Sequence, residues 1–519
     1  LAKKENSSAQ EIDMTSFAFA TSCGKCHPGG GALEYDRKGN RYVVFASDSK
    51  NKIVSGGDNS FDGDYYKARW ADTGIMEADC LLCHMPQYKM GSRNRQIAAL
   101  NFKWAATAGA GIAEIKGSVK KGGKPSIQYR TDAFDDKGHL NVPIIKEVPT
   151  ENCLFCHRET DWKKKGTSYN HRFDVHLRAE MKCIECHPAG TSALDPRINS
   201  REDHNFGKGD DPGSLVRDDL DNTAMTCREC HEQGYHRAPV MKHASFSSSD
   251  SFELHSKALS CQSCHVPEKA IKAALVQDST AFNPLPRVPK LKQIWSFYGP
   301  DVKPWNYYGE GNLVKHTGKP LFFYTPQLRW YKEKLYPVAN LYAIWFGLKT
   351  PGEPGLDQVF MKDIYSMWTD QNSYPMLANI TDDNSDGFIE INRPEEIDAA
   401  IASMTSYLDG KGRLKNRQVV LVDGPEAYLS SQEKYALESQ PYEYSPYGSV
   451  FKLSHDIAPA GAALGAGGCT DCHSKKASFF TRPYMVKPFD AKGFMVTAPA
   501  YDVLQYSDDD LEELQMERK

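Results

Sequence analysis

Helical spacing of apolar residues is clearest in the C-terminal half of the chain. Leu356, Val359, Phe360, Ile364, Met367 and Trp368 recur at steps of three and four, which predicts an amphipathic helix. A second helix is predicted from Pro394, with Ile397, Ile401, Met404 and Leu408 on one face and Gly410 as its end. Ile115 to Val119 and Ser126 to Tyr129 flank Lys120-Lys121-Gly122-Gly123-Lys124 and predict a β-hairpin with a glycine turn. Its basic tip is either a solvated loop or a docking point. Arg41 to Ala46 reads as a strand, and Ile97 to Ile112 is poor in charge. Between Trp295 and Phe346, Trp305, Tyr307, Tyr308, Phe322, Phe323, Tyr324, Trp330, Tyr331, Tyr336, Tyr342 and Trp345 crowd together, as packing or as an aromatic relay. Most of the N-terminal half is expected to be loop and short helix.

Composition changes that picture. A chain of 519 residues suggests two to four domains, yet only 40% of it is apolar, so something besides side chains must supply core. The longest apolar stretch, Leu335 to Leu348, is interrupted by Pro337, Asn340 and Gly347, and no membrane-spanning run is expected. Leu1 is not followed by a charged and then an apolar leader region, which suggests a processed form of an exported protein. Ala458 to Gly468 is nearly all alanine and glycine, and Asp508 to Glu513 reads as a solvated acidic end.

The cysteines carry the chemistry. All fourteen fall in seven Cys-x-x-Cys-His motifs: Cys23, Cys26, His27; Cys80, Cys83, His84; Cys153, Cys156, His157; Cys183, Cys186, His187; Cys227, Cys230, His231; Cys261, Cys264, His265; and Cys469, Cys472, His473. This is the attachment sequence of a c-type haem, with both sulfurs bonded to the vinyl groups and the adjacent imidazole on the iron. An isolated cysteine pair could also be half a zinc site or a redox dithiol, but neither needs a histidine after every pair, seven times over. Seven haem c groups are therefore expected, and their attachment places the protein outside the cytoplasm. Each ferric haem adds one net negative charge and each ferrous haem two, taking the formal −4 to roughly −11 and −18, a surface that excludes nucleic acid as a partner.

Sixteen histidines less the seven of the motifs leave nine: His139, His171, His176, His204, His236, His243, His255, His316 and His455. They are candidates for the sixth position on each iron. His176, His255 and His455 lie shortly before Cys183, Cys261 and Cys469, so one segment could face one haem while the next motif holds its neighbour. His236 and His316 rank last. With these rings available, every iron is expected to be low-spin with two imidazoles.

Asp382-Asp383-Asn384-Ser385-Asp386-Gly387-Phe388-Ile389-Glu390 reproduces the first part of a calcium loop, with Asp382, Asn384, Asp386 and the Phe388 carbonyl as ligands. Arg393 stands at the twelfth position, where a bidentate glutamate is expected, so the closing carboxylate must be Glu390, Glu395, Glu396 or one from elsewhere. An ordinary Asp/Asn/Gly turn is the other reading.

Seven motifs and this supply of histidines make the chain resemble the large multihaem cytochromes c of metal- and sulfur-respiring prokaryotes. Within Cys153 to Pro267, the run His176 to Cys183 and His255-Ser256-Lys257-Ala258-Leu259-Ser260-Cys261 into Val266-Pro267 is similar to octahaem tetrathionate reductase-like cytochromes. Those carry an eighth haem with a lysine ligand as an active site, and no motif here ends in lysine. The chain also resembles extracellular cytochromes that stack into conductive filaments. The resemblance implies a multihaem cytochrome c fold of irregular loops and short helices wrapped on haems, with few short strands. Three domains are expected: residues 1–275 with six haems, a haem-poor aromatic-rich α-containing domain over 276–455, and 456–519 with the seventh haem. The expected function is extracytoplasmic electron transfer, periplasmic or extracellular, to other cytochromes or extracellular acceptors. A head-to-tail polymer, visible in negative-stain images, is a further expectation; the alternative is a reductase of a sulfur or nitrogen oxyanion with one open haem.

Overall fold

The computed structural model describes residues 20–21, 23–29, 73–157, 173–189, 206–209, 223–241, 243, 249–271, 276–283, 294, 296–299, 302–303, 322–353, 355–437 and 450–516. The strand expected over Arg41–Ala46, and Trp305, Tyr307 and Tyr308, lie outside them. Leaving aside the first six residues, the chain divides into one compact unit of residues 7–158 with 182–184 and another of 159–181 with 185–519. The sequence-based divisions after 275 and 455 both fall within the second.

In the first unit the motifs close into single turns. The first is a 3₁₀ turn, Cys23–Lys25, the second is helix α1, Cys80–His84, and the third ends helix α3, Thr150–His157. Between them runs α2, Met90–Ala98. Arg93 of α2, only 1% exposed, donates to the carbonyls of Gly24 at 2.9 Å, Lys25 at 3.0 Å and His27 at 3.0 Å. Its Nε lies 3.4 Å from Asp79, whose carboxylate caps α1 through the Leu82 amide and also accepts the Tyr88 hydroxyl. Asn152 of α3 points its amide nitrogen at the carbonyls of Leu82, Cys83 and Met85, 2.9 to 3.0 Å away. Two buried polar side chains thus fasten three motifs where a small apolar core could not.

The expected hairpin forms from Ala113–Lys116 and Ser126–Tyr129, antiparallel with Ile115 opposite Ile127. Its first strand stops short of Val119, which is buried and opens a 3₁₀ turn because its amide is taken by Asn101 Oδ1 at 3.2 Å. Gly29 lies close against the chain's own backbone. Its φ is +96°, and a Cβ there would stand 2.0 Å from the Glu77 carbonyl oxygen.

The second unit begins with short helices, α4 Val175–Arg178, α5 Cys227–Gln233, α6 Ser249–Ala258 and α7 Cys261–His265. A seven-stranded sheet follows, built from β1 Val276–Asp278, β2 Ser296–Tyr298, β3 Tyr342–Lys349, β4 Asp357–Gln358, β5 Gln418–Asp423, β6 Glu426–Ser430 and β7 Glu433–Ala436. Its order is β7-β6-β5-β3-β1-β2, with β4 on β3, and only β1 and β3 run parallel among these pairs. Successive residues of a strand face opposite sides. Ile344, Phe346, Val419 and Leu421 pack in one core with Ile397, Ile401, Met404 and Leu408, while Trp345, Val420 and Val422 pack in another with Leu356. Two helices, α8 Met361–Trp368 and α9 Pro394–Gly410, lie where the apolar spacing placed them. Leu356 and Val359 precede α8, and Phe360, its N-cap, is exposed. The sheet itself was not expected, and much of the aromatic run beyond Phe322 belongs to strands.

Candidate haem sites

A helical turn puts residues three apart on one face, so each motif presents two sulfurs side by side with an imidazole next to them. Among the described residues no two cysteines are joined in a disulfide. Four motif histidines also have their Nδ1 against a backbone carbonyl: His84 at 2.9 Å from Ile145, His187 at 2.8 Å from Gly207, His231 at 2.8 Å from Pro239 and His473 at 2.6 Å from Leu514. A carbonyl only accepts, so Nδ1 carries the proton and Nε2 keeps the lone pair a metal needs.

Three of the spare histidines face motif histidines. Ring centres are 6.4 Å apart for His187 and His455, 6.1 Å for His231 and His176, and 5.7 Å for His473 and His255. Two nitrogen–metal bonds of about 2.0–2.1 Å on opposite sides of one ion put the nitrogens about 4 Å and the ring centres about 6 Å apart. The His255–His473 pair is the most telling, because His255 Nδ1 is also committed, to the Ser251 carbonyl at 2.7 Å. Both Nε2 atoms are then lone-pair acceptors, and they point at each other across 3.5 Å. Neither can donate to the other. The donor set fits one iron held from both sides.

No family model matches the chain, and no curated protein matches it. Among solved structures it is similar to an octahaem cytochrome c from Shewanella oneidensis, with 16% identity, a TM-score of 0.33, and 89% of this chain and 79% of that one covered.

One buried carboxylate braces the segments that carry two of these rings, His176 and His455. Asp174 Oδ1 caps α4 by accepting from the His176 amide at 2.9 Å and the Leu177 amide at 3.3 Å. Its Oδ2 accepts from the Asp456 amide at 2.8 Å and the Ile457 amide at 3.1 Å, just after His455. Burial works against its charge, but the His176 ring and these amides outweigh burial and hold its pKa below the usual carboxylate range. Asp456 in turn pairs with the fully buried Lys269 at 2.6 Å. His455 is pushed down to about 3, by burial first and then by Lys269 and His187, so it stays neutral as a ligand must.

Sulfurs of successive motifs also meet. Cys153 and Cys183 are in hydrogen-bond contact in the first unit, as are Cys227 and Cys261 in the second. Cys186 lies near enough to Cys227, and Cys264 to Cys472, for their charges to be felt. Within the second unit the motifs therefore run fourth, fifth, sixth, seventh. Beside the seventh is a cavity of about 430 Å³ lined by Leu464, Asp471, Phe479, Arg482, Tyr484 and Met485. The buried Nε of Arg482 has no hydrogen-bond partner, which suits an anionic group such as a propionate.

The other candidates are placed as follows. His243 stacks on Phe252 with ring centres 3.9 Å apart; burial lowers its pKa, and so does the nearby His265, the sixth motif's histidine. His236 pairs with Glu185 at 3.3 Å, inside the fourth motif. His139 sits on a surface turn, 74% exposed and 3.0 Å from Asp135. His171, His204 and His316 lie outside the described residues. The sequence offered no sign of Arg93, Asn152 or Lys269 as fasteners; an aspartate two residues before His176, where a helix begins, was the one available hint of Asp174.

Proposed function

We propose that this protein carries electrons outside the cytoplasm, in the periplasm or beyond the cell, through c-type haems attached at its seven motifs. The observation that carries the reading is the His255–His473 pair, two imidazole lone pairs opposed at 3.5 Å with both N–H groups committed elsewhere. On this reading His455, His176 and His255 are the sixth ligands at the fourth, fifth and seventh motifs, and His243 serves the sixth. Each haem would supply a one-electron centre, and two imidazoles keep its potential low compared with methionine ligation.

The protein's own contribution is orientation and closure. Backbone carbonyls fix the tautomer and angle of four motif rings, and Asp174 holds two facing rings from one point. With rings on both sides, these sites offer no open position for a substrate, which favours a carrier over a reductase. Partners would be other cytochromes or extracellular acceptors able to meet a negatively charged surface. The test is an EPR spectrum of the oxidised holoprotein. Low-spin signals alone are expected, and His455→Ala should convert one of them to high-spin. A high-spin signal at full occupancy in the unaltered protein would overturn the reading in favour of a reductase.

A further inference from the structure

The loop from Asp382 to Glu390 lies far along the chain from the haem motifs and has no part in the function proposed above. Oxygens of Asp382, Asp386 and Glu390 all lie within 4.8 Å of one another. Oxygens bound to one calcium at about 2.3–2.6 Å have this mutual spacing. Backbone geometry gathers them: Asp382 accepts from the Asp386 and Gly387 amides at 3.1 and 2.8 Å, and Asp386 accepts from the Phe388 amide at 2.8 Å. Gly387 takes φ +90°, which the sharp turn at the sixth position requires. Asn384 donates its amide nitrogen to the Gly493 carbonyl at 2.7 Å, which leaves its oxygen for the loop.

A second observation is independent of the loop's shape. Glu390 is fully buried, its Oε2 has no hydrogen-bond partner, and its Oε1 meets only Asn384 Nδ2, at 3.4 Å. Behind it Asp278 is also fully buried with an unpartnered Oδ2. Arg393, just after the loop, is occupied: it binds Asp383 at 2.9 Å, Glu395 at 2.8 Å and Glu396 at 2.7 Å. Buried carboxylates of one sign need a counter-charge, and an oxygen-rich site of this kind takes a hard divalent cation.

We propose that Asp382, Asn384, Asp386, the Phe388 carbonyl and Glu390 bind a calcium ion, with Glu390 as the carboxylate that closes the loop. Arg393 at the twelfth position is then no obstacle, since it braces the first turn of α9 instead. The ion would join α9 to the turn at Asp490–Phe494, to which Asn384 and Asn392 already bond.

Elemental analysis of the purified holoprotein tests this, with haem iron as the internal standard. One calcium per chain is expected. EGTA dialysis should remove it and lower Tm by roughly 3 °C or more, and calcium chloride should restore it where magnesium chloride does not. Glu390→Gln and Asp386→Asn should each abolish stoichiometric calcium with the Soret spectrum unchanged; if a variant fails to fold, the EGTA series on the unaltered protein decides. Absence of calcium together with a Tm indifferent to EGTA and calcium would overturn the proposal, as would magnesium or zinc in its place, or calcium that survives both substitutions.

Discussion

Asp174 shows how much one side chain can organise. Four amides converge on its carboxylate, two beside His176 and two just after His455. Asp174→Asn keeps the volume but turns an NH₂ group towards two of those donors, at a cost of about 1–3 kcal/mol for each buried group left unsatisfied. The expected result is loosened ligation at the fourth and fifth motifs together: high-spin EPR intensity from two irons, with the haem content by pyridine haemochrome unchanged. A loss confined to thermal stability, with both irons still low-spin, would make Asp174 structural only. Arg93 and Asn152 have the same character in the first unit, since buried donors aimed at the carbonyls of neighbouring motifs serve there as core.

The elements differ in how plainly the sequence announces them. Helix α9 was legible from Pro394 to Gly410 because a buried face recurs every third or fourth residue, with proline at its first position. The motifs were legible because their chemistry demands a fixed spacing. Strand β3 was not, since Tyr342 to Leu348 is buried on both faces and shows no alternation to separate it from a buried helix. Ring pairing was legible only in part: short separations marked His176, His255 and His455 as candidates, but which motif each faces depends on contacts between distant segments, two of the three pairs lying hundreds of residues apart. The sheet also carries a pH prediction. Burial, and then Asp423, raise the Tyr342 phenol well above its usual value. A folded pKa raised above the unfolded one, about 10, gives stability that is present below pH 10 and lost as pH rises beyond it. Tm should therefore fall between pH 9 and 11, and Tyr342→Phe should shallow that slope while forfeiting its 3.0 Å bond to Asp423 at neutral pH.

For the whole molecule, charge follows redox state. With a haem at each of the seven motifs, as proposed, full reduction would add one negative charge per haem and take the formal charge from roughly −11 to roughly −18. The reduced protein should elute from an anion-exchange column at higher salt than the oxidised protein, and neither form should retard duplex DNA in a gel. Elution at identical salt would mean fewer titrating haems than the motifs imply. Among the described residues no helix is long and apolar enough to cross a membrane.

The distance along the chain between facing rings also sets a timetable for biogenesis. His187 emerges early and meets His455, while His255 meets His473 after a separation of 218 residues. If the fourth motif takes its haem as proposed, that site would pass through a one-sided stage until the segment carrying His455 arrives. A chain cut short just before His455 would carry six of the seven attachment motifs and still be a half-finished product, exposed to stray ligands and to proteases. On the reading proposed above, arrival of the segment carrying His455 would thus be the step that completes the fourth site.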